Sequence, residues 1–186
     1  MREIVRLVPG NKPEVERELV ERCIRNDRIA QRDLYYRYCD AMFSTAYRIM
    51  SNRDDAQDVL QDAFIQVFRD MRQYRFESSL GSWIKTIVIR TSLRQLYKNR
   101  RLEFTELDEV RSEGAILIPD TLSSEYLEKV ILSLPDGYRT VFLLTEVEGY
   151  THEETARELG ISIGTSKSQL HHAKNMLKRR LSVLLD

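Results

Sequence analysis

Residues 151–174 read THEETARELGISIGTSKSQLHHAK, and their punctuation constrains the rest of the chain. Thr151 followed three residues later by Glu154 is a capping box that starts a helix. Ala156 and Leu159 fall on its inner side, and Gly160 ends it as the left-handed residue. Ser162 caps a second helix, which runs through Leu170, Ala173 and Leu177 to about Leu184. A short capped helix, the turn Gly160-Ile161-Ser162 and a longer basic helix make a helix-turn-helix. Ala156 is small where the two helices cross, while Leu159, Ile161 and Leu170 seal the corner. The second helix offers Thr165, Lys167, Ser168, His171, His172 and Lys174, most of them in the half that enters a major groove in this motif. His171 and His172 do not make a metal pair, because adjacent positions on a helix face about 100° apart.

Working backwards, Ser123-Ser124 caps a short helix with Leu127, Val130 and Ile131, closed by Leu134-Pro135. A further helix carries Tyr138, Val141, Phe142 and Leu144 to Glu148 and stops at Gly149. The stretch from Glu103 to Leu122 has no clear period and contains Gly114 and Pro119, so it reads as a tether. Its run Ala115-Ile116-Leu117-Ile118 is apolar enough to pack on something. The first hundred residues are again helical by period. Asn11-Lys12-Pro13-Glu14 opens one helix, and a second covers Ile29 to Met50 with Leu34, Tyr38, Met42 and Ala46 on one side. After the break at Ser51-Asn52-Arg53, Ala56, Val59, Leu60, Ala63, Phe64, Val67, Phe68 and Met71 recur at helical spacing. Tyr74 to Ser82 interrupts, and Trp83 to Lys98 resumes.

Composition agrees with an all-α reading: 186 residues contain only 7 Gly and 4 Pro. No apolar run reaches the roughly 20 residues that span a bilayer, so no membrane insertion is expected. The first residues lack the hydrophobic core of an export signal. Cys23 and Cys39 have no CxxC spacing, and a reduced, cytoplasmic protein is the simple expectation. Lys+Arg and Asp+Glu are both 29, so formal net charge is zero, but the charges are segregated. Gly81 to Leu102 holds six bases and no acid, Glu103 to Glu125 holds seven acids and only Arg111, and Ser162 to Arg180 is again acid-free. Two cationic surfaces for one polyanion, joined by an acidic connector, follow from that pattern.

The motifs resemble those of a known family. Leu134-Pro135, Arg139 to Leu144, Glu148-Gly149-Tyr150-Thr151-His152-Glu153-Glu154-Thr155-Ala156 and Leu159 to Ser168 are similar to the promoter-reading carboxy-terminal domain of sigma factors. Independently, Asp54 to Phe64 and Trp83-Ile84-Lys85-Thr86-Ile87 resemble the family's core-binding and promoter-melting region. The order, the tether and the length resemble the extracytoplasmic-function subgroup of sigma-70 factors. The expected architecture is two helical domains, residues 12–101 and 123–186, joined by an acidic linker at 102–122.

The resemblance implies a factor that binds core RNA polymerase through the β′ clamp helices and β flap. It would recognise −35 and −10 promoter elements and help open the duplex, with no catalytic residue, metal or cofactor of its own. An anti-sigma factor commonly holds the subgroup inactive. Asp55, Asp58, Gln61, Asp62 and Phe64 are carried over as core-polymerase contacts, with Gln57 where Glu is usual. From the residues alone, the clustered carboxylates could also be a solvated face or, less naturally without a His partner or phosphate loop, a metal or acid/base site.

Holding single-stranded DNA needs cations for phosphates and flat side chains for unstacked bases. Arg90, Arg94, Lys98 and Arg101 form a helical basic stripe, with Tyr74, Phe76, Trp83 and Tyr97 as aromatics beside it. The loop Arg75-Phe76-Glu77-Ser78-Ser79-Leu80 resembles the subgroup's loop for a flipped −10 base. That makes Arg75, Phe76, Ser78, Ser79, Trp83, Lys85, Arg90, Arg94 and Lys98 the −10 and melting set. Arg90 and Arg94 stand where the subgroup often has Asn and Asp. The −35 contacts fall on Lys167, Ser168, His171 and His172, flanked by Thr165 and Lys174, with Ser166 and Gln169 in place of the common Val and Arg. The acidic linker, by family analogy, mimics a nucleic-acid strand running toward the RNA exit path, and self-masking is expected from a neutral total in which two basic patches face that one acidic segment. The alternative reading is a stand-alone helix-turn-helix regulator whose first domain dimerises or senses a ligand.

Overall fold

A computed structural model describes residues 13–99 and 123–182 of the chain. Among the described residues there are eight α-helices and no strand: α1 (Pro13–Ile24), α2 (Arg28–Met50), α3 (Arg53–Asp70), α4 (Leu80–Lys98), α5 (Ser124–Leu132), α6 (Asp136–Phe142), α7 (His152–Leu159) and α8 (Ile163–Ser182). A 3-10 turn (Met71–Gln73) follows α3, and a π turn (Leu143–Val147) extends α6. No helix among these is long and apolar enough to cross a membrane. The acidic linker 102–122 and Arg101 lie outside the described residues, as does the end of the last helix beyond residue 182.

Side-chain caps place the helix starts. Asp27 accepts from the amides of Ile29 and Ala30 and also binds Arg22 at 2.8 Å, so the α1–α2 corner is pinned twice. Ser51 ends α2 in the left-handed region and Asn52 caps α3 through the amides of Asp54 and Asp55. Ser79 caps α4 through the Ser82 amide, which starts that helix at Leu80, three residues earlier than the apolar period indicates. Gly81 then lets α4 approach α2, where an added Cβ would lie 3.1 Å from the Tyr38 ring.

Helices α2, α3 and α4 bury Leu34, Met42, Ala46, Val59, Ala63, Val67, Ile84, Val88 and Leu96 against one another, with α1 adding Leu19, Val20 and Cys23. The second region forms around α8. Thr151 and Glu154 make the reciprocal capping box, and Gly160 takes the left-handed conformation. The helix expected to run to Glu148 instead loosens at Leu143, where the Glu148 amide reaches back five residues to the Leu143 carbonyl at 2.9 Å. Within it the Thr145 hydroxyl donates to the Val141 carbonyl at 2.8 Å.

The hydrophobic core does not stop at the boundary between the two regions. One buried cluster includes the first region's side chains together with Val141, Leu143, Leu144, Leu159 and Leu170. Arg139 ties the seam. It is 1% exposed. Its guanidinium donates to the Arg48 and Ile49 carbonyls at the end of α2, at 3.1 and 3.0 Å, and to the Leu134 carbonyl at 2.7 Å. Asp136 pairs with it. The α2 terminus thereby gains donors for carbonyls that have no intrahelical partner.

Candidate nucleic-acid interface

Helix α4 and the loop before it form the first surface. Tyr74, Phe76 and Trp83 cluster, with Tyr74 4.6 Å from Phe76 and 5.3 Å from Trp83 between ring centroids. Tyr74 is buried, and its hydroxyl donates to the Ser78 carbonyl at 2.7 Å, closing the loop on itself. Burial, reinforced by nearby Glu16, pushes the Tyr74 phenol up to about 12, so it stays a donor at neutral pH. Phe76 stands in the left-handed region at φ 61° and is 40% exposed. For a bulky residue that conformation costs on the order of 1–2 kcal/mol. Arg75, Ser78 and Ser79 are exposed around it, although the Ser79 hydroxyl is committed to capping α4. Tyr97 does not join these aromatics: it lies four turns along α4, where its hydroxyl donates to the Leu159 carbonyl of the second region.

Three of the four cations of α4 have side-chain partners. Lys85 pairs with Glu148 at 3.0 Å, and Arg90 grips both oxygens of Glu158, the shortest contact being 2.7 Å. Arg94 donates to the Gln66 side chain at 3.3 Å, and Lys98 is exposed. Both acids come from the second region, Glu148 from just after the π turn and Glu158 from α7. Among the described residues, two cations of α4 are therefore paired with acids of the helix-turn-helix region.

On α8, Lys167 is exposed and Ser168 half-buried, with the serine hydroxyl donating to the Thr165 carbonyl at 3.0 Å. His171 Nε2 lies 2.7 Å from the Asn175 side-chain nitrogen. Lys174 pairs with Glu146 at 3.0 Å. Two expected contacts turn inward. Thr165 is buried, its amide donating to the Ser162 hydroxyl at 2.9 Å, because it sits in the first turn that Ser162 caps. His172 packs beside the Tyr138 ring at 5.8 Å, and its Nε2 is buried with no hydrogen-bond partner among the described residues. His152 bridges the two helices, its Nδ1 2.9 Å from the Ser166 hydroxyl, and burial, with Lys167 nearby, lowers its pKa below the ordinary imidazole value.

Helix α3 presents the third surface. Asp58, Gln61 and Asp62 are exposed and Asp55 is half-buried. Phe64 is only 3% exposed, since it shares the inner stripe with Leu60 and Val67 and meets Tyr35 edge-on at 4.8 Å. It reaches the surface as the floor of a groove of about 660 Å³ between α2 and α3, whose walls include Cys39, Phe43, Arg53 and Gln61.

Sequence reasoning did not find Arg139, nor the pairing acids Glu146, Glu148 and Glu158, nor Glu16 and Arg17 of α1, which contact the loop. Their partners are dozens of residues away in the chain, and helical period carries no such information.

Both regions of the chain match known families. Residues 34–102 match the family model for sigma-70 region 2, and residues 124–177 match that for sigma-70 region 4. The chain is similar to RNA polymerase sigma-H factor of Pseudomonas aeruginosa, 28% identical over 187 residues, covering 92% of this chain and 96% of that one. It is also similar to the ECF RNA polymerase sigma factor SigE of Mycolicibacterium smegmatis, 27% identical, with 81% of this chain aligned to 61% of that longer protein. Among solved structures it resembles the sigma factor RpoE of Bartonella quintana, determined in complex with the anti-sigma factor NepR. That match has a TM-score of 0.53 and 26% identity, covering 82% of this chain and 96% of that one.

Proposed function

The chain belongs to the sigma-70 family of RNA polymerase sigma factors, in its extracytoplasmic-function subgroup, and from that premise we propose which of its surfaces does which part of promoter recognition. The protein binds core polymerase and directs it to promoter DNA. The first region, 12–101, docks on polymerase through the exposed face of α3, with Asp55, Asp58, Gln61 and Asp62 at the β′ clamp helices and Phe64 lining the adjacent groove. The loop at 74–79 and α4 hold the −10 strand. The second region, 123–186, reads the −35 element through Lys167, Ser168, His171 and Lys174 and meets the β flap, while 102–122 spans between them.

The single observation that carries this reading is the pair of cationic helices, α4 and α8, both drawn from acid-free stretches of one neutral chain. Sequence-independent affinity for DNA comes from such phosphate-facing cations. The chain performs no bond chemistry, since nucleotidyl transfer belongs to polymerase, and it works in the cytoplasm where that enzyme is. An anti-sigma partner belongs to the reading because a solved relative carries one.

Run-off transcription with purified core polymerase tests the assignment. Initiation from a matched promoter requires the added chain, and charge reversal at Asp58 together with Gln61→Lys weakens assembly with polymerase. Unchanged assembly moves the docking face elsewhere. Polymerase-independent binding to a palindromic site would instead favour a stand-alone regulator, because paired half-sites mirror a dimer.

A further inference from the structure

Glu16 and Arg17 are consecutive residues of α1, outside the segment that matches region 2, yet both reach the loop that follows the 3-10 turn. The Tyr74 hydroxyl lies 3.3 Å from Glu16 Oε1, and the Arg17 guanidinium lies over the Phe76 ring, 4.9 Å from its centroid. Phe76 is a bulky side chain in a backbone conformation it disfavours, and burial does not compensate, because 40% of it stays in solvent. Such an outlier persists only where the surroundings over-determine it. Here Tyr74 packs against Phe76, itself backed by Trp83, and Arg17 of α1 lies over the ring.

We propose that α1 is part of the promoter-reading site, with Arg17 and Glu16 acting as positioning residues that fix Phe76 so that its exposed edge meets one unpaired base of the −10 strand. The inference rests on the assignment of residues 74–79 to −10 reading made above. An unstacked base offers a flat face that an aromatic edge meets in the same T-shaped way that aromatic pairs adopt. A guanidinium on the same ring adds cation–π attraction and a positive charge close to the neighbouring phosphate. Glu16 acts one step back by fixing Tyr74, whose hydroxyl also binds the Ser78 carbonyl and so sets the exit of the loop.

The test uses holoenzyme assembled from core polymerase and the full chain. Run-off rates are measured on a matched promoter and on promoters with each −10 base replaced in turn, with polymerase affinity measured in parallel. Phe76→Ala is expected to collapse discrimination at one −10 position. Arg17→Ala lowers discrimination at that same position by about 2- to 5-fold, Arg17→Lys restores part of it, and Arg17→Ala adds nothing in the Phe76→Ala background. Glu16→Gln gives a smaller loss at the same position. If Arg17→Ala slows every promoter equally, or leaves the ratio unchanged while Phe76→Ala collapses it, the role of α1 is overturned and the loop assignment stands. If Phe76→Ala itself leaves every ratio unchanged, the loop assignment is what fails.

Discussion

The two DNA-facing helices differ in what their cations are doing. On α8, Lys167 points into solvent and Lys174 is held by Glu146 of its own region. On α4, Lys85 and Arg90 are held by Glu148 and Glu158, which belong to the other region. Under the proposed roles, α8 is close to a −35-reading surface as it stands, whereas α4 must exchange two carboxylates for phosphates to hold the −10 strand. The cations are largely exposed but Glu148 and Glu158 are only 11% and 21% exposed, so each exchange costs more than the ~0–1 kcal/mol of a fully exposed pair. The buried seam around Arg139 is the firmer tie between the regions.

Four experiments break or sharpen that contrast. Arg139→Ala has the largest expected effect, because it strips donors from buried carbonyls and leaves Asp136 without its guanidinium. A loss of about 3 kcal/mol in unfolding free energy is expected, read by urea denaturation; a change under 1 kcal/mol would mean the seam is not held by this side chain. Lys167→Glu comes next, with −35-dependent initiation falling roughly 10-fold or more while polymerase binding is kept; equal loss of both would remove Lys167 from the reading surface. Glu148→Gln with Glu158→Gln frees the α4 cations, and holoenzyme affinity for a single-stranded −10 oligonucleotide is expected to rise about 3-fold. No gain at low salt would show that these pairs do not compete with DNA.

The smallest effect is that of pH on α7 and α8. Burial lowers the folded His152 pKa from its ordinary 6.5, so the unfolded state takes up the proton first. Stability from this group is full above about pH 6.5 and declines as pH falls through and below that value toward the folded pKa. Lys167 and Lys174 deepen the shift and Glu146 opposes it. The Glu154 carboxylate, held low by the Thr151 amide and hydroxyl, adds stability that is full above its ordinary 4.5 and is lost only as pH falls below that value, outside the range scanned. Thermal melts between pH 7.5 and 5.5 should show a decline that His152→Asn removes; a persistent decline would place its origin elsewhere.

Much of the fold was legible in advance, for local reasons. Thr151, Glu154, Gly160 and Ser162 act within four residues of themselves, so capping chemistry alone fixed the helix-turn-helix. Local signals also gave the break at Ser51-Asn52-Arg53 and the inner stripe Ala56–Val67, though not the cap that Asn52 makes. Errors came where a position serves two masters. Thr165 lies in the first turn of the recognition helix, but it also answers Ser162 and turns inward. His172 and Phe64 sit at helical positions that a neighbouring helix covers. The π turn at the end of α6 changes only which carbonyl the Glu148 amide reaches, a difference that apolar period does not register.

The sequence by itself determined the helices, their caps, the two acid-free stretches and the order of the two family regions, because each depends on residues a few positions apart or on composition. Only the tertiary structure decided which acids meet the α4 cations, that Arg139 is buried across the seam, and that α1 backs Phe76. Those are contacts between residues separated by tens of positions, and their partners are selected by how packed helices bring distant side chains within hydrogen-bond reach rather than by any local pattern.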